Sequence, residues 1–409
     1  MMIDNRVANR FDLLIIITIA SLAWGSYELL GALTPIRLIG LYGLVVAYKN
    51  RRVLKNATKG LSTLFCFWII YSCFSVIFTF GFSSWLIQFC HTTTMMGAIM
   101  ALSIWGVKAK NPLKSINYGW LLFVFLTMPI AIWELTTGNH LSSGSFNEDT
   151  IGAFGLMKPF AAVTFVNYNS YVVMLCIAAP FLYALLFKGG IIDRVCSLIA
   201  LIFTFVVLAF NTSRGGIICF VISLFFYIIF TFLKGGIFKK VVLVTLLVLG
   251  SSFLISNFTD IELLEPLIRR SESTGLLEDD SRTDVWSRSI ELSAKYLFIG
   301  TGCGSMPYAL EHYYPSKLNF CHNYFLEILL EYGLVIFLVW FTKIFQIIRK
   351  NLKSRTIEIK YVALYALLSS PFLLVIDDYY SQRTGIWIYV ASILLMYNYN
   401  KVSHCNDRY

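Results

Sequence analysis

Long apolar runs, each about the length of a membrane-crossing helix, recur throughout the chain. A helix needs about 20 mostly apolar residues to cross a bilayer, within a range of roughly 17 to 25. Such runs lie near residues 11–30, 33–48, 61–79, 84–106, 115–136, 164–187, 195–212, 215–233, 239–257, 323–346, 360–376 and 385–398. The sequence therefore predicts an all-α polytopic membrane protein with about 12 transmembrane helices.

Charged side chains are scarce. Only 14% of the 409 residues are charged and 57% are hydrophobic, whereas an ordinary soluble domain has roughly 25% charged residues. A shortage of this size means that most side chains face lipid or other apolar helices. It excludes an ordinary soluble globular protein.

The chain has 33 basic and 23 acidic residues, a positive balance that nucleic-acid-binding proteins share. The basic residues, however, form short clusters between the apolar runs, which is typical of cytoplasmic membrane loops. If the N-terminus is cytoplasmic and the predicted spans alternate, every inner loop is basic. We therefore predict a multi-pass protein of the cell inner (cytoplasmic) membrane, with both termini in the cytoplasm and no nucleic-acid partner.

The predicted spans divide the chain into three parts. Residues 1–257 carry the first nine helices and an outer loop near 137–163. We predict that residues 258–321 form a large extracytoplasmic loop, the candidate catalytic segment, and that residues 322–409 carry three more helices and a short cytoplasmic tail. Within the large loop, the apolar spacing of residues 282–296 predicts an amphipathic helix at the membrane surface.

Two arginines at the outer side are candidates for function, since charge near membrane depth is costly. Arg214 lies in the short outer turn between two spans, where it either takes part in chemistry or snorkels to anchor a helix end. Arg282 begins the predicted surface helix, and the alternative for it is a salt bridge to Asp284 or another acid of the loop. The glycines of residues 300–304 lack the spacing of a dinucleotide site, so a turn is predicted there.

The tenth span opens with His322 and Asn323. Asn323, Glu327 and Glu331 follow one another at four-residue spacing and therefore share one helix face. That face must look into the protein, because carboxylates facing lipid would be very costly. His322 is either structural or, beside the loop arginines, a general base.

Together these residue types favour one class of substrate. Arginine binds phosphate oxygens in pairs and keeps its charge, and histidine can accept a proton from an attacking hydroxyl. The natural substrate is then a lipid-linked diphosphate sugar in the outer leaflet. No metal site is predicted, since paired His/Cys spacing is missing. The pairs Asp279-Asp280 and Asp377-Asp378 are interpreted as solvated loop acids.

Most of the nine cysteines fall in or beside apolar spans, where cysteine is a small hydrophobic residue. Only Cys303 and Cys321 share the large outer loop. An oxidising compartment would permit a disulfide between them, and the sequence leaves both the bridge and two free thiols open.

Six short motifs follow one another over roughly residues 115–346. They are Trp133 to Leu141, Phe165 to Asn169, Ser213 to Gly216, Ser281-Arg282 with Trp286, Gly300 to Gly304, and His322 to Glu327. In this order and topology they resemble the bacterial O-antigen ligase/polymerase superfamily, which comprises Wzy-type polymerases and WaaL-type ligases.

The resemblance implies a cofactor-free, metal-independent, inverting glycosyltransferase whose donor is an undecaprenyl-diphosphate-linked oligosaccharide. Carried over by motif, Arg214 and Arg282 grip the diphosphate and stabilise its charge as it leaves, and His322 activates the acceptor hydroxyl. The substrate-binding candidates are Arg288, Asn323, Glu327 and Asn169. For Asn169 the match is incomplete, because Tyr168 stands where the family commonly has proline.

Polymerase and ligase share these parts and differ in the acceptor. A polymerase transfers the growing chain to another lipid-linked repeat unit, and a ligase transfers it to lipid A–core. The run from Trp133 to Leu141 looks more like surface-polysaccharide polymerases, so polymerisation is the favoured reading. The resemblance also suggests membrane lipid, a chain-length regulator and a flippase as partners.

A polysaccharide-lipid transporter is the alternative from another class. Against it, the sequence shows no internal inverted repeat and no Pro/Gly-broken pair of helices at the bilayer centre. The candidate polar residues also lie at one face of the membrane, whereas a transporter would place them midway.

Overall fold

A computed structural model of the protein describes residues 9–25, 34–141, 160–165, 167–234, 280–315, 319–377 and 379–406. Within these ranges the chain forms helices and connecting turns, with no β-strand. The α-helices are α1 (Arg10–Ala20), α2 (Pro35–Lys49), α3 (Arg51–Ala57), α4 (Leu61–Phe74), α5 (Phe82–Lys108), α6 (Pro112–Thr137), α7 (Tyr168–Lys188), α8 (Ile191–Phe210), α9 (Arg214–Lys234), α10 (Asp280–Lys295), α11 (Met306–Tyr313), α12 (Tyr324–Leu352), α13 (Ile357–Leu373) and α14 (Thr384–Asn406).

Local sequence signals set several helix ends. Pro35 and Pro112 occupy the first positions of α2 and α6, where a missing N–H costs nothing. Asn167 and Asn323 cap α7 and α12 with side chains that accept backbone N–H groups. Gly138 ends α6 in the left-handed conformation that glycine adopts readily.

Within the described part of the chain, six helices are long and apolar enough to cross a membrane: α5, α6, α7, α8, α9 and α12. Together α3 and α4 would make a seventh, but they are bent by 102°. The predicted spans near α1, α2 and α13 are helical, with only 11, 15 and 17 residues. The predicted span at 239–257 lies outside the described residues. The all-helical membrane architecture is confirmed, and the count of twelve spans stays a prediction.

The core of the bundle surrounds α7. Every residue of α7 from Ser170 to Leu185 is buried, whereas α8 and α9 leave most of their outer apolar faces uncovered. A helix that is apolar on all sides is stable only inside a bundle or a bilayer. Apolar side chains of the central helix therefore pack against protein, whereas those of the peripheral helices α8 and α9 would face lipid.

Helix α12 is interrupted at Gly333, whose φ is 78° and ψ is 174°. The break turns two carbonyl groups away from the helix. The N–H groups of Thr301 and Gly302 donate to the carbonyl oxygens of Leu330 and Glu331, at 2.7 and 3.1 Å. The glycine-rich segment 300–304 is therefore inserted against the break in α12.

This insertion changes two expectations. Segment 300–304 does form a turn, but it packs among α4, α5 and α12 and does not lie outside the bundle: Ser84 Oγ, at the start of α5, donates to the carbonyl of Gly304 at 2.6 Å. The second expectation, an unbroken span over residues 323–346, also changes, because positive φ at Gly333 was not visible from a single glycine in an apolar run. Residues 258–279 of the large loop lie outside the described residues.

Candidate functional site

The turn between α13 and α14 (Leu374–Arg383) is organised by one buried tyrosine. The Tyr380 hydroxyl accepts the N–H groups of Ile376 and Asp377, at 2.7 and 2.9 Å, and donates to the carbonyl of Leu373 at 2.5 Å. Tyr380 is fully buried. Because buried main-chain groups need partners, this single hydroxyl fixes the path of the turn.

Arg282 and the start of α12 both contact this turn. Arg282 Nη1 donates to the carbonyl of Val375 at 2.7 Å. The N–H of Tyr324 donates to the carbonyl of Leu374 at 3.0 Å. His322 lies two residues before Tyr324, so Arg282 and the helix end that follows the predicted base are attached to adjacent residues of one turn.

The turn that carries Arg214 also contacts the α13–α14 turn. A Cβ on Gly215 would lie 3.0 Å from Cγ1 of Ile376, so the first turn of α9 packs directly on the α13–α14 turn. Consecutive Cα atoms are about 3.8 Å apart, so residues 374–376 span about 8 Å. The elements that carry the three predicted catalytic residues therefore converge on three consecutive residues.

His322 lies in an uncommon backbone conformation, with a φ of 47°. A left-handed conformation costs a non-glycine residue about 1–3 kcal/mol, and such strain clusters at functional sites. The next residue, Asn323, accepts two N–H groups of the first turn of α12 at 3.0 and 3.3 Å. His322 thus stands at the positively polarised end of α12, which favours a nearby anion.

Helix α10 is held beside this histidine. The indole N–H of Trp286 donates to the carbonyl of Cys321 at 2.7 Å. Val285 and Leu292 of α10 are buried in a second apolar cluster, whereas Ile290 is exposed. The helix over residues 282–296 is thus present, and its place at the membrane surface stays a prediction.

The two arginines of α10 differ in their surroundings. Arg288 pairs with Asp284 one turn away, at 2.6 Å for Nη2 and 3.0 Å for Nε, and its guanidinium lies 5.8 Å from the centre of the Tyr314 ring. The salt bridge to Asp284, one of the alternatives for Arg282, is thus made by Arg288. Arg282 instead contacts the α13–α14 turn, through the carbonyl of Val375.

The predicted inward face of α12 is confirmed. Glu327 and Glu331 are both fully buried. Glu327 Oε2 accepts the N–H of Tyr380 at 2.8 Å, and Glu331 Oε1 accepts the hydroxyl of Tyr379. Both carboxylates therefore attach α12 to the α13–α14 turn, a positioning role that the sequence did not indicate for Glu327.

The interpretation of Asp377 as a solvated loop acid was wrong. Asp377 is fully buried, and its Oδ2 accepts from Arg383 Nε at 3.1 Å in a salt bridge. Its neighbour Asp378 lies outside the described residues. The sequence did offer a signal for this salt bridge, because Asp377 and Arg383 flank Tyr379-Tyr380 between two predicted spans. The signal was missed because two adjacent acids are usually solvated.

Asn169 lies in the first turn of α7, where its N–H donates to the Asn167 side chain at 2.8 Å. One turn further, Val172 Cγ1 would lie 2.7 Å from a Cβ on Gly216. The structure therefore places Asn169 on a helix that packs against the start of α9, near the element that carries Arg214.

The buried carboxylate of Glu134 holds segment 160–165, which contacts the turn before Arg214. Glu134, at the end of α6, accepts the N–H groups of Ala162 and Val163 at 2.8 and 2.7 Å, and its other oxygen lies 3.3 Å from His140 Nδ1. Glu134 is fully buried. Glu134, in the Trp133–Leu141 motif, therefore attaches segment 160–165 to the end of α6.

Segment 160–165 in turn holds the turn before Arg214. Asn211 Oδ1 accepts the N–H of Ala161 at 2.8 Å, and Asn211 Nδ2 donates to the carbonyl of Ala161 at 2.9 Å. Between Asn211 and Arg214, Thr212 has a φ of 47°, an outlier for a β-branched residue. The clamp formed by Glu134 and Asn211 therefore positions a strained turn that carries Arg214.

Cys303 and Cys321 are free and buried, so the disulfide that the sequence left open is not formed. The Cys321 thiol lies 3.0 Å from Ser289 Oγ on α10 and the Cys303 thiol 3.4 Å from the Tyr332 hydroxyl. Burial raises the pKa of the Cys321 thiol to about 12. Within the described residues, no three His, Cys, Asp or Glu side chains gather as metal ligands would.

Residues 199–341 match a protein-family model described as O-antigen ligase (Wzy_C). The matched region includes Arg214, Arg282 and His322 and ends within α12. It confirms the resemblance to the O-antigen ligase/polymerase superfamily, whose members are enzymes. A comparison of the chain with curated proteins gave no match.

Proposed function

Because residues 199–341 match the O-antigen ligase family, we propose that this enzyme polymerises undecaprenyl-diphosphate-linked oligosaccharide repeat units into O-antigen or another surface polysaccharide. The reaction takes place at the outer face of the cytoplasmic membrane. The observation that supports the proposal is the convergence of the Arg214 turn, Arg282 and the start of α12, which follows His322, on residues 374–376.

The proposed reaction is an inverting glycosyl transfer that needs no metal ion. The acceptor hydroxyl attacks the anomeric carbon of the donor glycan while His322 takes the hydroxyl proton. The new glycosidic bond forms as the bond between that carbon and the phosphate oxygen breaks. Undecaprenyl diphosphate leaves, and Arg214 and Arg282 stabilise the charge that develops on it.

The contacts of the site fit these roles. The bond to Val375 fixes the orientation of the Arg282 guanidinium, which has five N–H donors in a fork that matches phosphate. The N-terminal end of α12 adds a positive potential beside His322. Asn323, Asn169 and Arg288 are proposed to contact the glycan or the outer phosphate, and Glu327 to position the turn.

The first test compares matched arginines on one helix. We expect Arg282→Lys to reduce polymer formation about tenfold or more, since a charge-assisted hydrogen bond contributes about 1.5–3 kcal/mol. Arg288→Lys should have a smaller effect. Chain ladders of surface polysaccharide on a gel provide the measurement, and normal ladders from Arg282→Lys at normal protein level would contradict the assignment.

The second test concerns the base. His322→Gln should lower transfer by about 100-fold or more, the usual contribution of a general base, while His312→Gln on the exposed side of α11 should leave it unchanged. Equal activity of both variants would remove His322 from the mechanism.

A strain that lacks the gene distinguishes a polymerase from a ligase by the product that it accumulates. A single repeat unit on its normal anchor, with the long chains absent, supports polymerisation. Full-length chains retained on undecaprenyl diphosphate, with none on lipid A–core, would show the ligase reaction. If purified protein in vesicles moved lipid-linked sugars across the vesicle membrane without lengthening them, it would instead be a transporter. A flippase and a chain-length regulator are the partners proposed for this reaction.

A further inference from the structure

Helices α3 and α4 meet in a sharp bend on the side of the bundle that carries the basic loops. The two axes differ by 102°, and the bend is made by Lys59 and Gly60, whose φ values are 54° and 84°. If α4 crosses the membrane, as its apolar composition predicts, the 102° bend places α3 close to the plane of the membrane surface. We call residues 50–70 the α3–α4 elbow.

The elbow contains an open cavity of about 340 Å³, within the usual range for ligand sites. The cavity is lined by Leu54, Ser62, Thr63, Cys66, Phe67 and Ile70. Phe67 and Ile70 are 64% and 51% exposed along α4, so the cavity continues into a surface that would face lipid chains. Ser62 and Thr63 add hydroxyl groups at the end nearest α3.

The charge around the cavity is positive. Arg51, Arg52 and Lys55 are exposed on α3, and none of them forms a salt bridge with a described residue. The sequence explains why: no Asp or Glu occurs between Glu28 and Glu134.

Further basic side chains lie in the elbow or beside it. The amino groups of Lys59 and Lys350 lie 5.3 and 5.4 Å from the centre of the Tyr397 ring. Lys343 Nζ lies 3.9 Å from the position of a Cβ on Gly60. Several elements therefore direct positive charge to one edge of an apolar cavity.

We propose that the α3–α4 elbow is a binding site for an anionic phospholipid of the cytoplasmic leaflet. An acyl chain occupies the cavity along α4, and the headgroup phosphate lies against the basic side chains of α3. Clusters of basic residues beside a span attract anionic lipid headgroups, and the in-plane position of α3 sets its charges at headgroup depth. The site lies on the opposite side of the membrane from the proposed chemistry and does not depend on it.

Cys66 allows a test on the unmodified protein. It lines the cavity and is exposed, as are Cys73 on α4 and Cys90 on α5, which lie outside the cavity. Purified protein in detergent is treated with a maleimide in the presence of cardiolipin, phosphatidylglycerol or phosphatidylcholine, and each cysteine is followed by peptide mass spectrometry.

We expect the anionic lipids to slow modification of Cys66 about fivefold or more relative to phosphatidylcholine. If only empty sites react, a fivefold slower rate corresponds to lipid in about four-fifths of the sites. Cys73 and Cys90 should react at rates that do not depend on the headgroup. If all three cysteines slow in parallel, or if phosphatidylcholine protects Cys66 equally, the site does not exist.

Two variants separate the headgroup contact from the acyl-chain contact. Arg51→Gln/Arg52→Gln/Lys55→Gln should weaken cardiolipin binding at least about tenfold, since each surface cation contributes to the attraction. Thr63→Trp should fill the cavity and weaken binding while leaving the charge intact. Lipid bound per protein is counted by native mass spectrometry. Undiminished binding by either variant would overturn the proposal.

The matched control removes three basic residues around the junction of α12 and α13 on the same side, as Arg349→Gln/Lys353→Gln/Lys360→Gln. It should retain cardiolipin as the unaltered protein does. An equal loss in the control would show that general surface charge attracts the lipid, which would also refute a site at the elbow.

Discussion

Tyr380→Phe removes one hydroxyl from the α13–α14 turn and leaves the ring in place. Three main-chain groups lose their partner: the N–H groups of Ile376 and Asp377 and the carbonyl of Leu373. A buried group left without a partner costs about 1–3 kcal/mol, and partial relaxation of the turn lowers the sum. We expect a loss of about 3 kcal/mol of stability, together with displacement of Val375.

The matched control is Tyr171→Phe on α7. Tyr171 is also fully buried, but its hydroxyl makes one bond, to Thr127 Oγ1 at 3.0 Å. Its loss should cost about 1 kcal/mol. Thermal unfolding of the purified variants ranks the two stabilities, and polysaccharide ladders report activity in cells.

Activity should separate the variants further. Displacement of a catalytic group by about 1 Å can lower a rate roughly 100-fold, so Tyr380→Phe should shorten or abolish the ladders although Tyr380 is not proposed to touch substrate. Tyr171→Phe should leave the ladders normal. If the two variants unfold at the same temperature and both polymerise normally, the turn does not position Arg282.

Three further predictions address separate parts of the molecule. Gly333→Ala should prevent stable folding, because a Cβ would lie 2.2 Å from a backbone oxygen in addition to the positive φ, whereas Gly138→Ala, with positive φ but open space, should cost only about 1 kcal/mol. Size-exclusion profiles of fluorescent fusions distinguish these outcomes. Glu134→Ala should lower stability by about 2–4 kcal/mol and weaken polymerisation, since two backbone N–H groups lose a charged acceptor; unchanged unfolding would show that the clamp is dispensable. The thiol of Cys321 should stay unreactive to maleimide between pH 7 and 9, because its raised pKa of about 12 keeps it protonated throughout that range. A change of gel mobility on reduction would instead indicate a bridge to Cys303.

The convergence on residues 374–376 gives the carboxylates of α12 a function that their charge alone did not suggest. Glu327 and Glu331 bond to the turn through Tyr380 and Tyr379, while Asp377 pairs with Arg383 inside the same turn. Each buried carboxylate therefore has a donor, which is the condition for keeping such groups in an apolar environment. The site is rigid because its polar groups bond one another.

The sequence by itself determined the class of fold and the identity of the candidate residues. Helix length and apolar composition are properties of consecutive residues, so the spans at α5 to α9 and α12 could be predicted within a few residues. The four-residue spacing of Asn323, Glu327 and Glu331 likewise required only helical geometry. The phosphate-binding chemistry expected of Arg214 and Arg282 followed from residue type and outer position.

Only the tertiary structure decided which of these residues meet. Asp377 is adjacent to another acid in the chain and looks solvated, but packing of α9, α10 and α12 around its turn buries it against Arg383. The break at Gly333 and the free thiols of Cys303 and Cys321 also depend on neighbours that are distant in sequence. A hydrogen-bond partner or a buried contact is set by three-dimensional packing, and local sequence carries no record of it.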